Sequence, residues 1–288
     1  MSFLAEVPGG GLFVEKATMK VPMSRTHFHT GHEIYYLLSG ERTYFMHDKE
    51  YRVSEGDLVT VPRGTLHRTG GKGGTRLLIL FEETFLSRFF RPATVEGLLS
   101  GFDTAVLSPL PGRQETVAIR VNNLFRLGQE WMKQPDDATG ARAALALCDL
   151  LYTLRLPDIC RRREDGDERL GVILHYMEEN YATLETIDQI AAAAYVSKFH
   201  LCHIFKETLG VSVIRYLNMI KIREACRRME RGEGDILDIA LRCGFNSGSY
   251  FAKVFRRETG VSAGEYRKTC RRSLSGTVPQ DNTKKRDP

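Results

Sequence analysis

Two stretches in the last third of the chain, FKETLGVS at 205–212 and FRRETGVS at 255–262, are versions of the same eight-residue phrase. Upstream of them Ile190 corresponds to Ile239, an interval of 49 residues instead of the 50 that separate the two phrases. The chain therefore contains two copies of one unit, with a single residue inserted between equivalent parts. Such a repeat indicates a duplicated structural element.

Each copy predicts two helices joined by a short turn. Thr186 with Gln189, and Asp235 with Asp238, have the spacing of a capping residue and the third helical residue at a helix start. The turns YVS and GFNS follow, and a second helix then runs to a glycine. This order is the geometry of a helix-turn-helix. A single motif of this kind is compatible both with DNA binding and with a purely structural helix corner.

The sequence between the copies favours DNA binding. The stretch SVIRYLNMIKIREACRRMERG has no proline or internal glycine and predicts one helix. At 1.5 Å per residue, about twenty residues span roughly 30 Å. Successive major grooves on one face of B-DNA recur every ~34 Å. The connecting helix therefore has the length to present two recognition helices to adjacent grooves.

Residues 170–268 resemble the paired helix-turn-helix domain of the AraC/XylS family of bacterial transcription regulators. The stretch DILDIALRCGFNSGSYFAKVFRRETGVSAGEYR at 235–267 follows the second-unit pattern of that family almost throughout. The resemblance covers about a third of the chain and implies that the first turns of each second helix face base edges. The positions that it indicates are Lys198, Phe199, Cys202 and His203 in the first unit, and Gly248, Ser249, Ala252 and Lys253 in the second.

The chemistry of these positions agrees with DNA recognition in part. Lys253 and His203 can donate to guanine acceptors, and Ala252 can pack against a thymine methyl. The cysteine and the glycine of the set offer no bidentate contact, so we expect phosphate contacts to supply much of the affinity. The groups placed for such contacts are Lys206, Arg256, Arg257 and the helix starts at Ser197 and Ser247. Lys221 replaces an arginine that is usual in the connecting helix of the family, which puts one backbone contact in question.

The first eighty residues predict short antiparallel strands. EIYYLLSGERTYFMHDKEYRV at 33–53 alternates apolar and polar residues and breaks at Ser39-Gly40 and at 47–49. GDLVTVPRG and TRLLILFEE add two more strands. This pattern indicates a β-sandwich or a barrel.

Two histidine motifs lie among these strands. HFHTGHEIYYLLSG contains His27, His29 and Glu33, and GDLVTVPRGTLH contains His67. The spacings resemble the two motifs of the cupin barrel, in which these side chains converge on a divalent metal, although Gly71 stands where an asparagine often ends the second motif. Three imidazoles and a carboxylate suit Fe, Mn, Ni or Zn. Two interpretations stay open: the four residues hold a divalent metal, or they line the mouth of a small-molecule effector pocket.

After Glu82 the apolar period changes from two residues to about 3.6, which indicates helices. Two apolar faces, at 117–131 and 147–154, are separated by the turn KQPDDATG and predict a helical hairpin. These faces either cover the barrel or form a dimer interface, as hairpins in family members often do. We expect the dimer interface.

The predicted fold is α+β and multidomain, with an N-terminal cupin-like β-barrel, a helical hairpin and a C-terminal all-α double helix-turn-helix domain. The predicted segments are an effector-binding barrel at 1–84, a helical dimerisation region at 85–156, a polar linker at 157–168, an AraC/XylS-type DNA-binding domain at 169–270 with its motifs at 187–208 and 235–258, and a disordered tail at 271–288.

Composition sets the broad class. With 288 residues and 42% hydrophobic content, the chain can bury two cores. It has no secretory leader pattern and no run of about 18 apolar residues, so we expect a cytoplasmic protein with no membrane contact. Its six cysteines form no CxxC pair, so we expect reduced thiols. Residues 169–270 carry 15 Lys and Arg against 12 Asp and Glu, a small surplus that favours an anionic partner there.

Together these features predict a transcription regulator that binds operator DNA as a homodimer and is not an enzyme. Its effector would be a small molecule such as a sugar or related metabolite, and RNA polymerase is a further expected partner. Two other classes stay open: a metal-dependent cupin enzyme with a DNA-binding appendage, and a nucleoid-type protein without sequence preference, which would bind any duplex with a steep salt dependence. The sequence names neither the effector, the operator nor the sign of regulation.

Overall fold

The computed structural model describes residues 4–5, 11–19, 26–46, 49–163 and 171–274. The strands are β1 Leu4–Ala5, β2 Leu12–Met19, β3 Phe28–His29, β4 His32–Met46, β5 Lys49–Ser54, β6 Leu58–Val61, β7 His67–Gly70, β8 Gly74–Phe81, β9 Ala105–Pro109 and β10 Cys160–Arg163. The helices are α1 Glu83–Ser87, α2 Pro92–Leu99, α3 Gln114–Lys133, α4 Asp137–Leu154, α5 Gly171–Asn180, α6 Ile187–Ala193, α7 Lys198–Ile204, α8 Val213–Glu230, α9 Ile236–Arg242, α10 Gly248–Thr259 and α11 Ala263–Leu274. A π-helical turn, Phe205–Leu209, continues α7.

The N-terminal sheet is organised around β4, which is 15 residues long. Its first part pairs with β6 on one side and β8 on the other, and its second part pairs with β5 and β7. The register with β8 shifts between Leu37 and Ser39, the pairing with β8 ends at Gly40, and the pairing with β5 begins at Glu41. Gly40 has a φ of 93°, and a Cβ there would lie 2.5 Å from the carbonyl oxygen of Gly73. The strand can therefore turn from one set of partners to the other only with glycine at this position.

Two strands lie where the sequence predicted none. β9 falls within the region 85–156 that was expected to be helical, and β10 falls within the predicted linker 157–168. β9 pairs with β6, and β10 pairs with β9, so the order across the sheet is β10-β9-β6-β4-β8-β2. An unpaired strand edge is costly, and these segments satisfy the hydrogen-bonding groups along the edge of β6. The rest of the predicted linker, 164–168, lies outside the described residues.

The helical hairpin is formed by α3 and α4, and its buried faces differ in role from the prediction. Val117, Val121, Leu124 and Trp131 on α3 are buried with the leucines of α4 in one cluster that includes Leu12, Val14 and Phe81 of the sheet. The expectation that the faces 117–131 and 147–154 form a dimer interface is therefore wrong. These side chains already cover the sheet of their own chain, and the large exposed apolar residues of the hairpin are others: Ile119, Met132, Leu145 and Tyr152.

The C-terminal domain packs α5 to α11 around one apolar core, and its repeated phrase is scaffold. Phe205 and Phe255 are fully buried, while Gly210 and Gly260 take left-handed conformations with φ of 68° and 85° and end the two recognition helices. The last helix, α11, extends to Leu274, beyond the predicted start of the tail at 271. Residues 275–288 lie outside the described part of the chain.

The two domains share apolar contacts. Phe28, Phe45 and Leu66 from the N-terminal strands and their connections belong to the same buried cluster as the C-terminal core. The Thr26 hydroxyl donates to the carbonyl oxygen of Leu209 at 2.8 Å, and Arg63 forms an ion pair with Glu230 of α8. The histidine motifs of the sheet therefore lie close to the helix-turn-helix domain. None of the helices in the described ranges combines the length and the apolar character that crossing a membrane requires.

A glycine substitution in the second helix-turn-helix tests this packing. Gly244 has a φ of 77°, and a Cβ there would lie 2.2 Å from the carbonyl oxygen of Ala182. We expect Gly244→Ala to lower the free energy of unfolding by about 3 kcal/mol or more, because the backbone strain of about 1–2 kcal/mol is joined by a clash with main chain. Gly232→Ala is the matched control, with a φ of 72° and open space around its Cβ. Equal losses in urea unfolding followed by circular dichroism would contradict the packing described.

Candidate DNA-binding surface and histidine site

Both helix-turn-helix units are closed by local hydrogen bonds that the sequence predicts. Thr186 and Gln189 cap α6 reciprocally, and Asp235 accepts from the backbone amide of Asp238 at the start of α9. Ser197 and Ser247 cap the second helix of each unit. Small residues lie where the helices cross, since Ala191 and Ala240 are 5% and 1% exposed. The two units therefore hold their second helices at equivalent positions on the core.

Most of the residues predicted to contact DNA lie on the surface of α7 and α10. Nine of the eleven are exposed: Lys198, Phe199, His203, Lys206, Ser249, Ala252, Lys253, Arg256 and Arg257. Phe199 is 87% exposed, so its ring does not contribute to the core and is available at the surface. Cys202 and Gly248 are half-buried, and Cys202 packs against the core.

Intramolecular ion pairs orient several of these side chains. Lys198 contacts Asp188 at 2.9 Å, and His203 lies 3.3 Å from Glu207 one turn along its helix. The Arg257 Nε lies 2.6 Å from the fully buried carboxylate of Glu258. The exposed pairs are weak and can exchange for phosphate, because solvent screens them. The Glu258 contact instead fixes the base of the Arg257 guanidinium against the domain.

The turn of the first unit contains an exposed aromatic residue that the sequence prediction missed. Tyr195 is 97% exposed and has a φ of 54°, a left-handed conformation that costs a non-glycine residue about 1–2 kcal/mol. Its equivalent in the second unit, 49 residues on, is Gly244 with a φ of 77°. Alignment of the two copies could have identified this residue from the sequence. The glycine in the second turn indicates a left-handed backbone conformation, and the tyrosine must adopt the same conformation in the first turn.

Lys221 joins the two units from inside the domain. Its side chain is 4% exposed, and its Nζ donates to the carbonyl oxygens of Leu184 and Gly244, at 2.8 Å each. Burial lowers the pKa of its ammonium group. The lysine at this position therefore connects the segment before α6 with the turn of the second unit, and it has no access to a DNA backbone.

The four residues of the cupin-like motifs come together in the sheet domain. One ring nitrogen from each of His27, His29 and His67 lies within 4.8 Å of the others. Glu33 on β4 adds a carboxylate whose Oε2 lies 2.8 Å from His29 Nε2 and 3.5 Å from His67 Nε2. The backbones of His27 and His67 also pair, with both N–H groups donating across at 2.9 Å. The strand pairing thus brings the two separate motifs to one point.

Neighbouring groups orient these ligands. The Tyr44 hydroxyl donates to Glu33 Oε1 at 2.9 Å, and His67 Nδ1 lies 2.9 Å from the carbonyl oxygen of Thr65, which can only accept. The Nδ1 of His67 therefore carries the proton, which leaves its Nε2 to face Glu33. Among the described residues, His29 Nδ1 and His67 Nε2 are buried without a hydrogen-bond partner.

The protonation states suit a metal ligand set. Burial lowers the pKa of His29, against the raising effect of Glu33. Burial alone would raise the pKa of Glu33, but the two neighbouring imidazoles of His67 and His29 hold it well below its usual value. A neutral His29 imidazole and an ionised Glu33 carboxylate are the forms in which these two side chains bind divalent metals. The buried nitrogens and the donor set therefore fit a transition metal held by His27, His29, His67 and Glu33.

A cavity of about 360 Å³ lies between the two domains next to this site. Its basic lining comes from Arg63 of the sheet domain and from three arginines at α8 and its C-terminal end: Arg223, Arg227 and Arg231. Its other polar lining residues include Glu230, Tyr266, His29 and Thr30. The ion pairs of Arg227 and Arg231 are long, at 3.7 and 3.8 Å, and both side chains are largely exposed. The other two arginines are already paired, Arg63 with Glu230 and Arg223 with Glu178, so the guanidinium groups of Arg227 and Arg231 are the ones that favour an anionic ligand.

Comparison with known proteins agrees with this architecture. A family described as a helix-turn-helix domain matches residues 190–269, and one described as a cupin domain matches residues 17–81. The HTH-type transcriptional activator RhaS of Escherichia coli O139:H28 (strain E24377A / ETEC) is 24% identical over 252 residues, covering 84% of this chain and 86% of its own length. RhaS of Shigella sonnei (strain Ss046) is 23% identical over the same shares.

Solved structures with similarity include fatty-acid-bound ToxT of Vibrio cholerae strain SCE256 and the DNA-binding domain of AdpA with a target DNA. ToxT is 16% identical, covers 94% of this chain and 98% of its own, and gives a TM-score of 0.39. The AdpA domain is 25% identical, covers 38% of this chain and 97% of its own, and gives 0.35. At such scores the structural likeness adds no weight to the sequence matches.

The chain therefore combines a cupin-like domain with a helix-turn-helix domain, the make-up of a ligand-responsive transcription regulator. It is homologous to the RhaS activators of the AraC family, and the resemblance to AraC/XylS regulators is confirmed, as is the predicted α+β fold class.

Replacement of Lys221 tests its internal role. In Lys221→Met two buried carbonyl oxygens are left without their donor, and each such change costs about 1–3 kcal/mol. We expect the free energy of unfolding to fall by about 2–4 kcal/mol in urea titrations. Lys206→Met, on the exposed face, is the control and should stay within about 0.5 kcal/mol of the unmodified chain. A stable Lys221→Met variant with weakened DNA binding would instead indicate a phosphate contact.

Proposed function

We propose that this protein is a sequence-specific DNA-binding transcription regulator whose activity is controlled by a small molecule bound at its cupin-like domain. One observation carries the proposal: two equivalent recognition helices with exposed faces pack on the same core, which also receives Phe28, Phe45 and Leu66 of the sheet domain. The 18 residues of α8 span about 27 Å. This length suits a spacing of two adjacent major grooves.

DNA binding would divide between base and phosphate contacts. In the first unit Phe199 offers an apolar surface for bases, with Lys198 and His203 as donors beside it. In the second unit Ser249 and Lys253 would donate hydrogen bonds to base edges, and Ala252 would pack against thymine methyl groups.

The remaining predicted residues would have other roles. The half-buried Cys202 and Gly248 would allow the helix to approach the DNA closely. Phosphate contacts would come from the exposed basic residues farther along each helix, namely Lys206, Arg256 and Arg257.

The effector site that the geometry favours is the cavity between the domains. His29 is the member of the predicted effector set that lines it, whereas Glu33 and His67 are only 3% and 1% exposed. A ligand there would contact Arg63 of the sheet domain and Arg227 of α8 at the same time. It would thereby bind one relative position of the two domains better than others, which is the requirement for a ligand-controlled shift in population. The guanidinium groups point to an anionic metabolite, such as a sugar acid.

Further partners follow from the same assignment. Three of the exposed apolar residues of the hairpin, Ile119, Leu145 and Tyr152, would form the contact of a homodimer. Because such regulators act at promoters, RNA polymerase is an expected partner, and the cytoplasm is the expected location.

A metal-dependent cupin enzyme is the second candidate, favoured by the convergence of His27, His29, His67 and Glu33. His29 lines the cavity between the domains, so a substrate would have to reach such a metal from that cavity. The two candidates are separated by metal analysis with a turnover assay. Activity that disappears together with the metal in His27→Ala would favour the enzyme, and specific DNA binding without turnover would favour the regulator.

DNA contacts can be tested by salt dependence. The test uses DNA that the protein protects in its own cell. We expect Lys253→Ala and Arg256→Ala to weaken binding to this DNA. Each substitution should also lower the slope of the logarithm of the binding constant against the logarithm of salt concentration, by about 1 for each phosphate interaction that it removes. Fluorescence anisotropy over a range of salt concentrations measures both. The control is Arg126→Ala on α3, whose guanidinium pairs with Glu130 far from the recognition helices. Unchanged slopes in both variants would exclude these residues from the interface, and equal affinity for any duplex would favour a nucleoid-type protein.

The effector assignment predicts a charge preference. In calorimetric titrations with sugar acids and their uncharged parent sugars, we expect the acids to bind and the sugars to bind weakly. Arg227→Gln should weaken acid binding by about ten- to a hundredfold, since a hydrogen bond to a charged group contributes about 1.5–3 kcal/mol. Arg126→Gln serves again as the control. Equal binding of acids by Arg227→Gln and the unmodified chain would place the effector elsewhere.

A further inference from the structure

Residues 26–29 contact both domains with alternate side chains. Thr26, which is 2% exposed, donates to the carbonyl oxygen of Leu209 at 2.8 Å, and Phe28, also 2% exposed, is buried in the C-terminal core. Between and after them, His27 and His29 turn to the histidine site. This is the alternation of an extended strand, in which successive side chains point to opposite sides. One short segment therefore carries two metal-ligand candidates and two contacts with the DNA-binding domain.

The Thr26 hydrogen bond reaches a particular point in the first helix-turn-helix. Leu209 is the last residue of the π-helical turn Phe205–Leu209, which completes the first recognition helix before Gly210. The equivalent helix of the second unit, Gly248–Thr259, is α-helical throughout. Single π turns are rare and occur frequently at functional sites. The sheet domain thus forms a hydrogen bond with the end of the first recognition helix, and the backbone hydrogen-bond pattern at this end differs from that of the equivalent helix in the second unit.

Metal binding would require the histidine site to contract. The three ring nitrogens lie up to 4.8 Å apart, whereas nitrogens at about 2.0–2.1 Å from a tetrahedral metal are about 3.4 Å apart. The most widely separated pair of ring nitrogens must therefore approach by up to about 1.4 Å when a metal binds. Since His27 and His29 flank Phe28 in the chain, this movement pulls on residues 26–29 and on their contacts with the C-terminal domain.

We propose, on the basis of the DNA-binding function above, that a divalent transition-metal ion bound by His27, His29 and His67 is an effector of this protein, and that residues 26–29 transmit its binding to the first helix-turn-helix. Imidazole donors with the Glu33 carboxylate select ions such as Zn²⁺ or Ni²⁺ over Mg²⁺ and Ca²⁺. Contraction of the site draws the segment into the sheet domain and breaks the hydrogen bond from Thr26 to Leu209. In the metal-bound state the end of the first recognition helix, at Leu209, then no longer has its hydrogen bond to the sheet domain.

The experiment uses the full chain, stripped with a chelator and titrated with Zn²⁺ and, separately, Ni²⁺. We expect one ion to bind per chain and the Kd for the protected DNA to change by roughly tenfold, a normal size for coupling between two sites. His67→Gln should abolish both responses. Thr26→Val should bind the ion with unchanged stoichiometry, and even without metal it should have the DNA affinity of the metal-loaded unmodified chain. Thr26→Ser, which keeps the hydroxyl, is the matched control and should respond normally.

A second readout does not depend on DNA. The Gly210 amide donates to the carbonyl oxygen of Lys206, so its hydrogen exchange reports the end of the first recognition helix. Metal should accelerate exchange there in the unmodified chain and in Thr26→Ser but not in Thr26→Val, with circular dichroism confirming that each variant is folded. Failure to bind one ion, or a full response in Thr26→Val, would overturn the proposal. If Gly210 responds to metal but the chain binds no specific DNA, the coupling stands and the DNA-binding function fails.

Discussion

The burial of Phe28 in the C-terminal core is the contact on which the arrangement of the two domains depends. Phe28 belongs to a strand of the N-terminal domain, yet it is 2% exposed among helices that carry the recognition elements. Burial of such a side chain contributes about 1.5–3 kcal/mol, and Phe45 and Leu66 add to it. A linked domain without this contact would be free to reorient. With it, the proposed ligand or metal binding at the histidine site or in the arginine-lined cavity would act on residues that contact the DNA-binding domain.

The two helix-turn-helix units show how a duplicated scaffold can diverge in function. Buried phenylalanines and left-handed glycines recur in both copies because each recognition helix must pack on the core and end at the same place. The exposed residues differ: an aromatic residue and a histidine in the first unit, small residues and basic side chains in the second. The first copy also has a tyrosine where the second has Gly244, and a π turn where the second is α-helical. Under the proposed function, these differences would let each unit contact a different half of a DNA site.

The sequence predicted those features that depend on local signals. Capping residues, repeat spacing and the alternation of the strands located both helix-turn-helix units and the sheet, and the motif spacings identified the histidines that converge. Features that depend on distant pairing were missed. β10 lies in a polar, arginine-rich run whose strand character comes only from its pairing with β9, and the apolar faces of the hairpin gave no sign of which partner they cover. Lys221 was interpreted by its charge, but its role is set by two carbonyl oxygens that the fold brings to it.

The central claim, that the two recognition helices bind neighbouring grooves of a specific DNA site, is tested most directly by a hydroxyl-radical footprint of the full chain on DNA that it protects in its own cell. For each chain the account predicts two protected stretches on one face of the duplex, centred about 10.5 base pairs apart. Truncation of the first set of exposed side chains should remove one stretch, and truncation of the second set the other. A single protected stretch, or protection spread evenly along any duplex, would contradict it.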